Sequence, residues 1–220
     1  MSNCHIAIDG PAGSGKSTVA KRVAEALGYT FVDTGALYRC VALAALEAGL
    51  TLDQPDALGR LAAAVEIRFG PLRQGRQAVW LGGREVTDRI RQPDIDALSS
   101  PVSAVGAVRA ALLGQQRAFA AAGPVVMEGR DIQTVVLPEA QVKVFLTASP
   151  NVRAERRLAQ MPAGTASLEQ IAAGIAERDA RDSSRATAPL AAAAEAVLID
   201  TDVLTIEQVA ARIIELAGGS

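Results

Sequence analysis

The stretch Gly10-Pro11-Ala12-Gly13-Ser14-Gly15-Lys16-Ser17-Thr18 limits most tightly what this chain can fold into. It satisfies G-x-x-x-x-G-K-[ST], directly after the apolar run Ile6-Ala7-Ile8 and at the start of a helical pattern. Such a loop needs a strand that ends in a tight turn, with a helix N-terminus behind it. The glycines let backbone N–H groups turn inward around phosphate oxygens, and the helix end adds positive potential. Lys16 then reaches the β/γ-phosphates, and the Ser17 hydroxyl is placed to ligate Mg2+. Average residue usage would produce such a match by chance in about one chain in a hundred of this length. The strand–loop–helix context makes chance rarer still. Gly10 to Thr18 is therefore the expected nucleotide-binding loop.

The pattern around it is that of a parallel α/β sheet. Val19, Ala20, Val23, Ala24 and Leu27 fall on one helical stripe, and Gly28 stops it. Thr30 to Asp33 reads as a second strand and Ala36 to Ala48 as a helix closed by Gly49. From Leu61 to Ser100 the texture changes. Val65, Ile67 and Phe69 alternate with polar residues, and Ala78 to Leu81 runs into Gly82-Gly83 with Arg84-Glu85-Val86 beyond. That predicts an inserted antiparallel hairpin with Trp80 packed under it. One alanine-rich helix is predicted over Val102 to Ala122, stopped by Gly123-Pro124. Val125 to Met127 and Val142 to Thr147 supply further core strands. Two helices, over Pro150 to Gln160 and Ser167 to Asp182, flank Pro162-Ala163-Gly164. Val197 to Asp200 gives a last strand and Thr205 to Leu216 a closing helix.

Composition narrows the partners. The 220 residues fit one domain, and with half of them apolar a sizeable core is within reach. Net charge is −2 and aromatics are 3%, so neither a basic surplus nor a stacking platform points to nucleic acid. The N-terminus lacks a basic region followed by an apolar run, and no stretch reaches the ~18 apolar residues of a membrane span. A soluble, cytoplasmic chain is expected. Cys4 and Cys40 make no disulfide framework and read as buried thiols, and His5 reads as structural. Of the 22 basic residues only Lys16, Lys21 and Lys143 are lysines. Arginine grips phosphate with a rigid, permanently charged fork, so the question is which arginines are machinery.

Ligands of open α/β sheets bind at the carboxyl ends of strands. There this chain carries Asp33-Thr34-Gly35-Ala36-Leu37-Tyr38-Arg39 and Glu128-Gly129-Arg130-Asp131. Glu128 is placed to hold Mg2+ or its waters; a solvated loop charge is the plainer alternative. In Glu177 to Arg185, a helix would set Arg178, Arg181 and Arg185 at i, i+3 and i+7 on one face, with Asp182 beside Arg178. Alone, that stripe fits an ion-pair ladder as well as a ligand grip. The N-K-x-D of regulatory GTPases is not found.

Together these pieces closely resemble bacterial cytidylate kinases, which phosphorylate CMP and dCMP from ATP. The loop Gly10–Thr18, Asp33–Arg39, Gly129–Asp131 and Glu177–Arg185 followed by Ala188-Pro189-Leu190 come in that family's order and spacing. The resemblance implies a three-layer P-loop kinase fold: a parallel five-stranded sheet flanked by helices, an inserted antiparallel monophosphate-binding region and a short lid. It implies a single domain over 1–220, with core at about 1–60, 101–150 and 186–220, insertion at 61–100 and lid with its helices at 151–185. Cytosine would be read by Ser100, Arg109 and Asp131. The 5′-phosphate would be gripped by Arg39, Arg130 and Arg185, with Thr34 and Tyr38 lining the same site. Asp182 and Arg178 would meet the ribose, and Arg181 would lie nearer the transferred phosphate. Lys16, Arg130, Arg181 and Arg185 are the expected catalytic cations, and Ser17 and Glu128 the Mg2+ ligands. A monomer acting on ATP and CMP or dCMP in pyrimidine metabolism is expected. Two departures stand out: Glu128 replaces the family's usual Asp, and the lid around Met161–Ala166 is short. Competing readings are a kinase for AMP, UMP or a metabolite hydroxyl, and a non-catalytic ATP-binding regulator.

Overall fold

Ile6, Ala7, Ile8 and Asp9 are all fully buried, which a strand achieves only with neighbours on both edges and cover on both faces. This is β1 (Ile6–Asp9) of the computed structural model, which describes residues 4–161, 166–185 and 187–218. The chain continues through α1 (Lys16–Leu27), β2 (Thr30–Asp33), α2 (Thr34–Glu47) and α3 (Pro55–Ala64). A small antiparallel sheet follows, made of β3 (Ile67–Phe69), β4 (Val79–Leu81) and β5 (Arg84–Glu85). Helices α4 (Pro93–Ala104) and α5 (Gly106–Ala121) lead to β6 (Val125–Gly129) and β7 (Val142–Thr147). Then come α6 (Pro150–Leu158), α7 (Leu168–Ser183), β8 (Val197–Asp200) and α8 (Ile206–Gly218).

The main sheet runs β2-β6-β1-β7-β8, with every pairing parallel. On one face Ile6, Ile8, Val144 and Leu146 pack against Val19 and Val23 of α1 and Val209 and Ile213 of α8. On the other, Ala7, Val32 and Met127 meet Ala120 of α5 and the single turn Ile132–Val136. Helices on both faces make the three layers expected. A further apolar cluster joins α2, α3, α4, α5 and the small sheet through Leu37, Leu58, Ile67, Leu81, Ile95 and Leu112. Arms α6 and α7 share a minor cluster of Ala154, Ile171 and Ile175.

Three points depart from what the sequence predicts. The single helix over Val102 to Ala122 is instead α4 and α5, bent by 96° at an extended Val105. The alanine-rich pattern runs through the bend unbroken, so periodicity alone cannot see it. What decides is packing: α4 lies beside α2 and α7, whereas α5 lies beside α3. Helix α3 is additional to the elements predicted, and Pro55 begins it in the usual first-turn position. Arg185 also falls just beyond the end of α7 rather than on it.

Trp80 packs within the hairpin as predicted, its ring lying where a side chain on Gly70 would come within 2.8 Å. Cys4 and Cys40 are buried free thiols, and burial pushes Cys40 up to about 12. The predicted turn Pro162-Ala163-Gly164, within the short lid, lies outside the described residues.

Gly10 is where the fold meets the loop. Its φ is +150°, and a Cβ there would stand 2.0 Å from the carbonyl oxygen of Leu146 on β7. Backbone cannot yield as a side-chain tip can. Gly10→Ala is expected to cost about 3 kcal/mol or more, lowering the melting temperature by about 10 °C, with ATP binding lost as well. Thermal unfolding with and without ATP checks both.

Candidate functional site

The loop after β1 opens at the carboxyl edge of the sheet, between the ends of β6 and β7. Gly15 takes a left-handed conformation as the N-cap of α1, so the helix begins at Lys16. Lys16 is buried and folds over its own loop, its Nζ donating to the Pro11 carbonyl at 2.8 Å. Burial and then the charge of Arg130 pull it down to about 7. From behind, Arg153 braces the loop. It donates to the carbonyls of Ala12 at 3.2 Å and Ala148 at 3.1 Å, and pairs with Asp179 at 2.5 Å.

Next to the loop, β6 delivers Glu128. Its Oε1 accepts from Ser17 Oγ at 2.5 Å, and its backbone carbonyl accepts from Thr34 Oγ1 at 2.8 Å. Burial and then Asp33 raise its carboxyl above the usual range. Asp33 ends β2 and caps α2, accepting from the Ala36 amide at 3.0 Å. Deeper still, Asp9 accepts from the amides of Ile132 at 3.0 Å and Gln133 at 2.9 Å, and burial lifts it to about 6. Among the described residues no group of three or more His, Cys, Asp or Glu could cage a metal. The Ser17 hydroxyl and Glu128 carboxylate are a hard-oxygen pair. They suit a Mg2+ that completes its shell with water and substrate phosphate oxygens.

Around this centre stand the arginines. Arg39 of α2 lies 3.7 Å from Asp33 and 3.5 Å from Asp96. Arg130 Nε donates to Asp182 at 2.9 Å, and Arg185 pairs with the other oxygen of Asp182. Arg178 and Arg157 reach Asp96 at 3.6 Å and 2.6 Å. Burial and then Arg130 lower Arg178 to about 10. Arg39 Nη1, Arg178 Nε and Arg185 Nε are buried without a hydrogen-bond partner. Guanidinium donors left open in this way are free to donate to an anionic ligand's oxygens, Arg39 Nη1 having only the long approach to Asp33.

Further along, Arg109 of α5 and Asp131 form a buried pair. The Arg109 guanidinium stands 5.6 Å from the centre of the Tyr38 ring and donates to the Ser103 carbonyl at 3.3 Å. Arg178 and Arg181 of α7, with Arg185 just beyond its end, meet a matching stripe on α4. Arg178 reaches Asp96, Arg181 donates to Ser100 Oγ at 2.7 Å, and Arg185 donates to Ser103 Oγ at 2.8 Å. The expected site residues therefore gather along the loop edge of the sheet and where α7 meets α4. Ser100 is engaged by Arg181, so its link to Arg109 runs through Ser103 rather than directly.

Sequence reasoning missed Asp9, Asp96, Arg153 and Arg157. Asp9 carried a faint signal, since a charged residue ending a buried apolar run needs a partner. Asp96 carried none: an acidic residue early in a helix reads as a complement to the helix dipole.

The family model for cytidylate kinase matches residues 6–218 of this chain. The cytidylate kinase of Exiguobacterium sibiricum is 50% identical over 222 residues, covering 100% of this chain and 99% of that one. That of Syntrophotalea carbinolica is 49% identical over 213 residues, covering 96% and 90%. Among solved structures, an uncharacterized protein from Eubacterium ventriosum aligns with a TM-score of 0.57 at 12% identity, covering 100% of both chains. That last likeness is one of fold alone.

Proposed function

The chain belongs to the cytidylate kinase family, and from that premise we propose how its own residues carry out transfer of phosphate from ATP to CMP or dCMP. The observation that carries the reading is the meeting, at one sheet edge, of the Lys16–Ser17–Glu128 set with arginines that each keep a buried nitrogen without a hydrogen-bond partner.

Gly10 to Thr18 wraps the ATP phosphates, with Lys16 directed at the β/γ oxygens. Arg39, Arg130 and Arg185 grip the 5′-phosphate of the monophosphate, beside Thr34 and Tyr38. Asp182 fixes the spacing of Arg130 and Arg185 and keeps lone pairs free for a ribose hydroxyl, next to Arg178. Arg181 serves the transferred phosphate. Ser17 and Glu128 would hold Mg2+, which when bound neutralises charge between the β and γ phosphates. The insertion at 61–100 and the lid helices at 151–185 close over the substrates and exclude water, around the core at 1–60, 101–150 and 186–220. We assign the working form as a cytoplasmic monomer. Among the described residues no single helix is long and apolar enough to cross a membrane.

The chemistry asks for positioning rather than proton transfer. A nucleoside monophosphate has a second pKa near ~6, so at neutral pH its attacking oxygen needs no general base. The obstacle is repulsion between two multiply charged anions. Lys16 and the arginines remove it and hold the reacting oxygens in line.

One pH effect follows from Lys16. In the free protein it sits at about 7, and a triphosphate beside it raises that value. Above pH 7, ATP binding must therefore take up a proton. Affinity is expected to fall by up to about tenfold per pH unit above 7, and to level off below it. Calorimetry in two buffers of different ionisation enthalpy reads the proton directly, and no uptake at pH 8 contradicts the assignment.

A coupled ADP-release assay with ATP, Mg2+ and a panel of nucleoside monophosphates tests the whole reading. Rapid turnover confined to CMP and dCMP supports it. A preference for AMP or UMP, or binding without ADP formation, refutes it.

A further inference from the structure

Asp96 of α4 has no part in the roles assigned above. Its Oδ2 accepts from Arg157 Nη2 of α6 at 2.6 Å. Its Oδ1 lies 3.5 Å from Arg39 Nε of α2 and 3.6 Å from Arg178 Nη1 of α7. One carboxylate thus collects three guanidinium groups from three separate elements. Two of them, Arg39 and Arg178, belong to the monophosphate and ribose set. Both retain a buried nitrogen with no hydrogen-bond partner.

The fit is incomplete in an informative way. Charge-assisted N–H···O contacts run at about 2.7–2.9 Å, so the approaches to Arg39 and Arg178 are long. One carboxylate offers a single negative charge and two oxygens. A phosphate dianion brings nearly twice the charge and three oxygens, which would also reach the open donors. Asp96 nevertheless remains ionised: against burial, which favours the neutral acid, Arg178, Arg39 and Arg157 hold its carboxyl below the usual range.

We propose that Asp96 is the resident anion of the monophosphate subsite, occupying Arg39, Arg157 and Arg178 in the nucleotide-free protein and competing with the incoming 5′-phosphate for Arg39. The proposal rests on the monophosphate reading of Arg39 and its neighbours. In the empty site Asp96 keeps like-charged arginines from driving apart and ties α4 to the lid helices α6 and α7. Substrate phosphate then replaces a weaker anion instead of filling a void. The arrangement favours a dianion over singly charged competitors, at some cost in affinity.

Titration of inorganic phosphate into the nucleotide-free protein by calorimetry tests it. Asp96→Asn removes the competing charge and is expected to bind phosphate about tenfold more tightly, with KM for CMP falling in parallel and KM for ATP unmoved. Asp96→Glu keeps the charge and is expected to stay within about threefold of the parent. Unchanged or weaker phosphate binding by Asp96→Asn overturns the proposal, because it would make Asp96 a scaffold for the arginines. So would a gain in Asp96→Glu equal to that in Asp96→Asn. Should Asp96→Asn fail to fold, the parent protein still decides. Carbon NMR of the Asp96 carboxyl should show its pKa rising on saturation with phosphate, and a value that stays fixed or falls is contrary. Absence of CMP turnover by the parent would remove the functional reading alone, since the phosphate titration needs no CMP.

Discussion

Replacing Lys16 by alanine is expected to lower kcat for phosphoryl transfer by about 10^3-fold, with CMP affinity within about threefold of the parent. Lys16 is a buried cation within a loop whose other polar groups are backbone amides and hydroxyls. Its charge is the one the loop can place against the γ-phosphate as negative charge redistributes. Without it the loop offers that charge only neutral donors, and neither Mg2+ nor the arginines on the acceptor side takes the position that Lys16 holds. Lys16→Arg should fare little better. The Nζ already contacts the Pro11 carbonyl at 2.8 Å, and a larger, planar guanidinium does not fit that space. Single-turnover kinetics at saturating ATP, paired with equilibrium dialysis of CMP, separates the chemical step from binding. Retention of more than a tenth of the parent rate would remove Lys16 from the centre of the mechanism.

Asp131→Ala should lower kcat/KM for CMP by about 10^2- to 10^3-fold, with ATP binding within about threefold of the parent. Cytosine presents an amine that donates, beside a ring nitrogen and a carbonyl that accept. The buried Arg109–Asp131 pair offers the complementary acceptor and donor, and Tyr38 lies against the guanidinium. On the proposed reading, uracil replaces the amine with a carbonyl and so sets the Asp131 oxygens against another acceptor. Alanine removes the acceptor and also strands Arg109, a buried charge stripped of its partner, so some loss of stability accompanies the loss of recognition. Asp131→Asn separates the two effects. It keeps the shape and one acceptor, and should recover most of the melting temperature while discriminating poorly between CMP and UMP. Equal losses toward CMP and ATP in either variant would show that Asp131 supports the whole site rather than the base.

Much of this was legible from the chain because the phosphate loop imposes its own context. A strand must precede it and a helix must follow, and both are where the apolar spacing placed them. The other core strands announced themselves as short apolar runs, and the motif carboxylates and arginines followed at their ends. What stayed hidden depends on tertiary packing. The bend at Val105 interrupts a continuous alanine-rich pattern, because α4 must lie along α7 while α5 lies along α3. Arg153 and Asp9 brace the site from beneath through backbone groups, and no local spacing encodes such contacts. Asp96 faces its arginines only after α2, α6 and α7 converge on it. The arginine stripe, evenly balanced between ladder and grip as a sequence, becomes interpretable once α4 presents Asp96, Ser100 and Ser103 opposite it.

The central claim is that this edge of the sheet passes the γ-phosphoryl group of ATP to a phosphate oxygen of CMP while keeping water out. Phosphorus NMR of a mixture of ATP, Mg2+ and CMP follows that group directly. The γ signal should disappear only as the β signal of CDP grows in equal amount, and ATP alone should stay intact over the same period. Release of the γ-phosphate as inorganic phosphate, with or without CMP present, would contradict the claim.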